Sequence, residues 1–284
     1  LTFLYAFFMK PRSESKLSAQ PKPYVKCVIF IALFALLFVI MAGYGYPMYD
    51  SVGMYDYIQS DPKVWVDWHT ISYELFFALC VQLIPGTYFA VMIIAQAILW
   101  ITVSYYALKS LYDAFKSTDV LIVYTVLSIL IISPSYYVPI ALKDTVFSMF
   151  TYAFSVSVFN LIRKESPEKK DYILLALFAS LASLFRHFAV VIVLAVLFAL
   201  LLYRLIKYES KKELKKYVAV MLTPIVVYTA ITVGIGDGIL HKQANPKYVS
   251  YTIPVYLAAA CADELGEDFG DENAAVLESI MPLE

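Results

Sequence analysis

Ionisable residues are scarce in this chain and gather in a few short motifs. Residues 45–74 read GYPMYDSVGMYDYIQSDPKVWVDWHTISYE and hold Asp50, Asp56, Asp61, Asp67, His69 and Glu74 among seven Tyr and Trp residues. A second motif, VPIALKDTVFSMF, carries Lys143 and Asp144, and a third, SLFRHFAVV, carries Arg186 and His187. A carboxylate can take a proton from a hydroxyl. Arg, Lys and His can stabilise charge on a phosphate. Brought to one surface, these motifs would serve a phosphate headgroup and an acid–base step together.

The elements that must position them are membrane helices. Hydrophobic residues make up 61% of the 284 residues and charged residues 16%, against about 25% charged in a soluble domain. Several apolar runs approach the roughly 20 residues that cross a bilayer. They are too continuous for barrel strands, which alternate. The expected fold is all-α: a polytopic transmembrane helical bundle of about seven crossings. An external loop containing interfacial helices should follow the first crossing. Cys27, Cys80 and Cys261 form no CxxC pair, so neither a disulfide framework nor a zinc site is expected.

Charge sets the topology. Lys10, Arg12, Lys16, Lys22 and Lys26 precede or open the first apolar run and make residues 1–24 a cytoplasmic basic N-terminus. Two later clusters also favour the cytoplasm: Arg163, Lys164, Lys169 and Lys170, and the series from Arg204 to Lys216. Five apolar runs lie before Arg163, at 25–45, 71–85, 88–108, 120–134 and 145–162. An even number must cross. The run 71–85 is short, contains Glu74 and Gln82 and ends at Pro85–Gly86, so it is the one expected to lie on the surface or re-enter. Residues 46–87 then form an external acidic and aromatic loop. Runs 172–185, 188–206 and 217–235 complete a transmembrane domain at 25–235. Residues 236–284 form an extracytoplasmic segment with nine acidic residues against Lys242 and Lys247. Leu1 in place of Met, and the polar end at Glu284, suggest a chain that continues beyond what is seen. The expected place is the cell membrane, with the acid–base face extracytoplasmic.

This topology puts Asp50, Asp67, His69, Lys143, Asp144, Arg186 and His187 on one side. Ionisable residues at membrane depth cost about 2.5–3.5 kcal/mol each on insertion scales and are functional candidates by default. A polyprenyl-phosphate sugar fits the set. Its phosphate sits at the membrane surface, an acceptor hydroxyl needs a carboxylate base, and the leaving phosphate needs cations. The phosphate already leaves well, so a second carboxylic acid is not required, unlike glycoside hydrolysis.

The order of these features resembles the GT-C superfamily of integral-membrane glycosyltransferases, in its protein mannosyltransferase and aminoarabinose-transferase branch. There an acidic residue, often in a DE, DD or DS pair, follows the first crossing; Asp50–Ser51 is similar. WVDWHTISYELFFAL resembles the family's second element through Asp67, His69 and Tyr73, with Thr70 where relatives commonly have Pro. Lys143–Asp144 resembles the charged pair that opens a later crossing. Arg186–His187 resembles a basic hairpin tip, without the Asn-Gly that often follows. The resemblance spans roughly residues 25–284. It implies an inverting transfer from a lipid-phosphate sugar, with Asp50 as general base. Arg186, Lys143, His69 and His187 would contact phosphate or sugar, and Asp144 and Asp67 would position them or the acceptor.

Asp56 and Asp61 read more simply as solvated or capping residues, and the Tyr and Phe wealth as lipid-facing or interfacial. His69, His187 and His241 are too far apart in sequence for ligand spacing. A divalent metal is compatible with the chemistry but not indicated, so the cofactor is left open. The expected partners are the lipid bilayer, a polyprenyl-phosphate sugar donor and a glycan or lipid acceptor; nucleic acid is not expected. The competing reading is a transporter or flippase of a lipid-linked glycan, which calls for charges inside helices and helices broken at mid-bilayer. A polysaccharide polymerase or ligase would need a large external loop between later crossings.

Overall fold

The computed structural model describes residues 22–43, 45–47, 49–66, 69–84, 86–87, 89–130, 137–208 and 214–243. The chain falls into two compact units. One comprises 1–65 with 69–241, and the other 66–68 with 242–284. In the second unit, Val66 and Gln243 form an isolated parallel bridge. Everything below concerns the first unit, whose described elements are helices apart from one two-stranded pairing.

Helix α1, Pro23–Ala42, opens with Pro at its first position, where a missing N–H costs nothing. It is apolar all round and exposes Leu33, Leu37, Ile40 and Met41, as a lipid-facing helix does. It stops at Gly43, whose φ of +59° is a left-handed conformation that glycine takes without strain. Strand β1 is Tyr46–Pro47, and α2 is Tyr49–Gln59. Helix α3 is Ile71–Leu83, α4 is Ala90–Phe115 and α5 is Thr118–Leu130. Strand β2, Ile140–Ala141, leads into α6, Lys143–Arg163. Helix α7, Lys169–Leu184, begins with reciprocal Glu168 and Asp171 bonds to backbone N–H groups. Helix α8 is Ala189–Tyr208, and α9, Leu214–Thr229, contains Pro224 and opens into a π-helical stretch, Ala230–Asp237.

Five of these segments are long and apolar enough to cross a membrane: 23–42, 90–115, 143–163, 189–207 and 214–237. Helices α5 and α7, with 13 and 16 residues, rise about 20 and 24 Å against a hydrocarbon core of about 30 Å. The expected run 88–108 continues as helix to Phe115. Hydropathy falls at Lys109, but Lys is a good helix former, so the helix outlasts its apolar part. The loop expected at 46–87 contains the two short helices α2 and α3.

Opposite ends of the unit have opposite characters. At one end Arg204, buried, donates to the carbonyls of Leu161, Lys164 and Glu165 at the close of α6. Those are the acceptors a helix C-terminus leaves without intrahelical partners. Lys164 pairs with Asp171 at 2.7 Å, and Arg163 donates to the Asp113 carbonyl at 3.0 Å. Arg163, Lys164 and Arg204, drawn from the two basic clusters expected on the cytoplasmic side, therefore share this end. Asp144 at the start of α6 meets Arg186 just after α7, and the end of α6 meets the start of α7, so these two helices run antiparallel.

The other end is held by one hydrophobic cluster. It joins Met54 and Ile58 of α2, Tyr73 and Phe77 of α3, Phe89 and Met92 at the start of α4, Ala141 and Val146 around the start of α6, and Leu184 and Phe185 at the end of α7. Burial of each large side chain contributes about 1.5–3 kcal/mol. The cluster fastens the polar motifs of three distant segments to one place.

Candidate functional site

The first anchor is β1 against β2, a parallel pairing with Tyr46 opposite Ile140 and Pro47 opposite Ala141. Gly45 makes it fit: its φ is +91°, and a Cβ there would meet Phe89 Cβ at 3.1 Å and Ile93 Cγ2 at 3.2 Å. Gln96, fully buried in α4, donates to the carbonyls of Val138 at 2.7 Å and Ile140 at 3.0 Å. The buried Ser51 hydroxyl donates to the Ala141 carbonyl. Asp50 lies in the first turn of α2, so its backbone adjoins the strand that leads, two residues on, to Lys143. The side chain of Asp50 and the whole of Asp67 lie outside the described residues.

The second anchor is His69, which is buried. Lys143 Nζ lies 3.2 Å from His69 Nδ1. Burial, then the charges of Lys143 and His187, push the His69 pKa down to about 3. The imidazole is therefore neutral, Nδ1 accepts from the ammonium, and the ring proton sits on Nε2. The His69 ring meets Tyr73 edge-on at 5.8 Å. Glu74, one turn into α3, is buried as well.

The third anchor is the α7–α8 turn. Arg186 Nη1 donates to Asp144 Oδ1 at 2.9 Å, and the guanidinium lies over the Phe147 ring at 5.4 Å. Phe185 packs on Phe76 and Phe150 and fixes the tip. Phe188, at φ +62°, is a non-glycine residue in a sparsely populated region, and there the chain reverses into α8.

His69, Lys143, Asp144, Arg186 and His187 thus share one locality: Lys143 adjoins Asp144 in sequence, Arg186 adjoins His187, and both Lys143 and His187 act on His69. Lys143 and Arg186 are the two cations of this locality, with Asp144 and the buried Glu74 as its described carboxylates. The residues not anticipated from sequence are Gly45 and Gln96; Ser51 stands in the sequence reading only as the partner of Asp50 in its pair, without its bond to Ala141. Glu74, which in the sequence argues against a crossing, is in the structure a buried acid. A lone Gln inside an apolar run was the available signal for Gln96. Among the described residues no group of three or more His, Cys, Asp or Glu could hold a metal ion.

No family model, no curated protein and no solved structure matches this chain.

Proposed function

We propose that this chain is a multi-pass membrane glycosyltransferase that moves a sugar from a polyprenyl-phosphate donor to an extracytoplasmic acceptor hydroxyl. One observation carries the reading: three segments far apart in sequence deliver Lys143, Asp144, Arg186, His69 and His187 to the end opposite the basic clusters. With the basic end in the cytoplasm, the cluster lies at the extracytoplasmic face. Helices α5 and α7 would then complete seven crossings, and α2 and α3 would lie along the interface.

In this reading the acceptor oxygen attacks the anomeric carbon as the bond from that carbon to the phosphate oxygen breaks. The hydroxyl proton passes to the Asp50 carboxylate, and the electron pair leaves with the phosphate. Lys143 and Arg186 stabilise the charge that develops there. His69 orients the Lys143 ammonium, Asp144 orients the Arg186 guanidinium, and His187 lies with the substrate contacts.

The test is complementation of a deletion strain with the wild-type gene or its Asp50→Asn or Lys143→Met variant. Surface glycans and lipid-linked sugars are measured by mass spectrometry. The deletion should lose a sugar that the wild type restores and that both variants, present in the membrane, do not. Full restoration by both would overturn the reading.

One observation favours transport of a lipid-linked glycan instead. The last described helix is interrupted, by Pro224 and by the π-helical stretch 230–237, and interrupted helices line many transport paths. Lipid-linked glycan accumulating in the deletion strain on the basic side, with transferase activity intact in its membranes, would select that reading.

A further inference from the structure

A groove of about 220 Å³ runs between α6 and α8, lined by Phe147, Thr151, Ser155 and Val158 on one side and Ala189 and Ile192 on the other. It opens outward: Ile192 is 67% exposed, and α6 and α8 are both candidate crossings. Its walls are apolar where they face the opening. The Ser155 hydroxyl turns back onto the Thr151 carbonyl at 2.9 Å. Phe147 forms its upper end and is also the ring beneath the Arg186 guanidinium, so a cation stands at its mouth. From Phe147 to Val158 a helix rises about 16 Å, about half of a 30 Å hydrocarbon core. The groove therefore has a charged rim at the membrane surface and an apolar floor one leaflet deep.

We propose that this groove binds one phospholipid of that leaflet, with an acyl chain between α6 and α8 and the phosphate on Arg186. A single-leaflet groove suits an acyl chain better than a polyprenyl chain, which is longer than one leaflet. A guanidinium has five N–H donors, and the Asp144 contact uses Nη1. Arg186 can hold a rim phosphate with its remaining donors, in competition with the donor phosphate of the proposed transfer. The Arg186 guanidinium standing over Phe147 at the rim favours a phosphate-bearing lipid. This site stands whether or not the chain transfers a sugar.

The experiment is native mass spectrometry of the purified full chain in detergent, titrated with phosphatidylglycerol, with diacylglycerol of the same chains, or with polyprenyl phosphate. The wild type should retain one phosphatidylglycerol and no diacylglycerol. Ser155→Phe fills the groove at an exposed position, and Arg186→Gln removes the rim charge. Each should weaken retention about tenfold or more, the loss of one charge-assisted hydrogen bond being worth about 1.5–3 kcal/mol. If Ser155→Phe does not fold, Ile192→Phe narrows the same groove from its lipid-exposed wall. Equal retention of phosphatidylglycerol by the wild type and both variants overturns the proposal, as does equal retention of diacylglycerol. Retention of polyprenyl phosphate without phosphatidylglycerol also overturns it and gives the groove to a polyprenyl chain.

Discussion

Lys143 and His69 lie 74 residues apart in sequence, yet the lysine Nζ sits 3.2 Å from the imidazole Nδ1. The contact joins His69, two residues before α3, to the first residue of α6, and it needs a neutral imidazole as acceptor. Lys143→Met keeps the stem and removes the ammonium. Two effects follow. The His69 midpoint should rise from about 3 toward the ordinary 6.5 but stop short of it, because burial is the larger cause and remains. A ¹³C-labelled imidazole followed by NMR reads this directly. Transfer should fall by about 100-fold or more if Lys143 stabilises the leaving charge. An unmoved His69 midpoint would mean that the two groups are not coupled in solution.

His69 also makes the fold sensitive to acid. Its pKa in the folded chain is about 3 and near 6.5 when unfolded. Between those values the unfolded chain binds a proton that the folded chain does not, so stability rises with pH across that window. The stability associated with a neutral His69 is fully present above about 6.5 and is lost progressively as pH falls toward 3. His69→Gln, which cannot protonate, should flatten that slope. Thermal unfolding of both proteins in detergent at pH 7, 5.5 and 4.5 measures it. Parallel curves would show that the acid sensitivity comes from other groups.

The candidate site was legible to the degree that its members are ionisable. A Lys–Asp pair or an Arg–His pair stands out in an apolar chain because each charge is expensive there. Both pairs lie near His69 in the structure. The devices that fix this geometry were harder to read. Gln96 is a neutral amide in a long apolar run, and its role depends on carbonyls 42 and 44 residues away. The register of Tyr46 on Ile140 is a long-range pairing of two residues per strand, too short to leave a periodic pattern. Hydropathy also located apolar helices better than their ends: α4 runs on past Lys109 because solvated residues keep helical backbone.

Arg186 and Asp144 form a well-shaped ion pair, but their side chains are 55% and 40% exposed. Pairs of this kind contribute about 0–1 kcal/mol to stability. Arg186→Gln and Asp144→Asn should therefore each leave the melting temperature nearly unchanged. The double variant should show a coupling within the same small range. A large loss of transfer in Arg186→Gln, with stability intact, would then come from a substrate contact. A loss of stability well beyond 1 kcal/mol in either single variant would make the pair a structural lock instead.

Gly45 and Gln96 hold the β1–β2 pairing from two sides, and each can be tested without touching the charged cluster. Gly45→Ala puts a Cβ at 3.1–3.2 Å from Phe89 and Ile93 in a backbone with φ +91°. Non-glycine residues held in such regions cost about 1–3 kcal/mol. Gln96→Leu leaves the Val138 and Ile140 carbonyls without their amide donor, a loss of about 1–3 kcal/mol for buried groups. Cysteines at Tyr46 and Ile140 in a cysteine-free background report the pairing itself, because the Cα separation of directly opposed strands suits a disulfide. Oxidation should cross-link that protein efficiently. Adding Gly45→Ala should reduce the cross-link, since the strain lies within the paired segment. Adding Gln96→Leu should reduce it less, because Ser51 still holds Ala141. Equal cross-linking in all three proteins would show that neither residue sets the register beside Asp50 and Lys143.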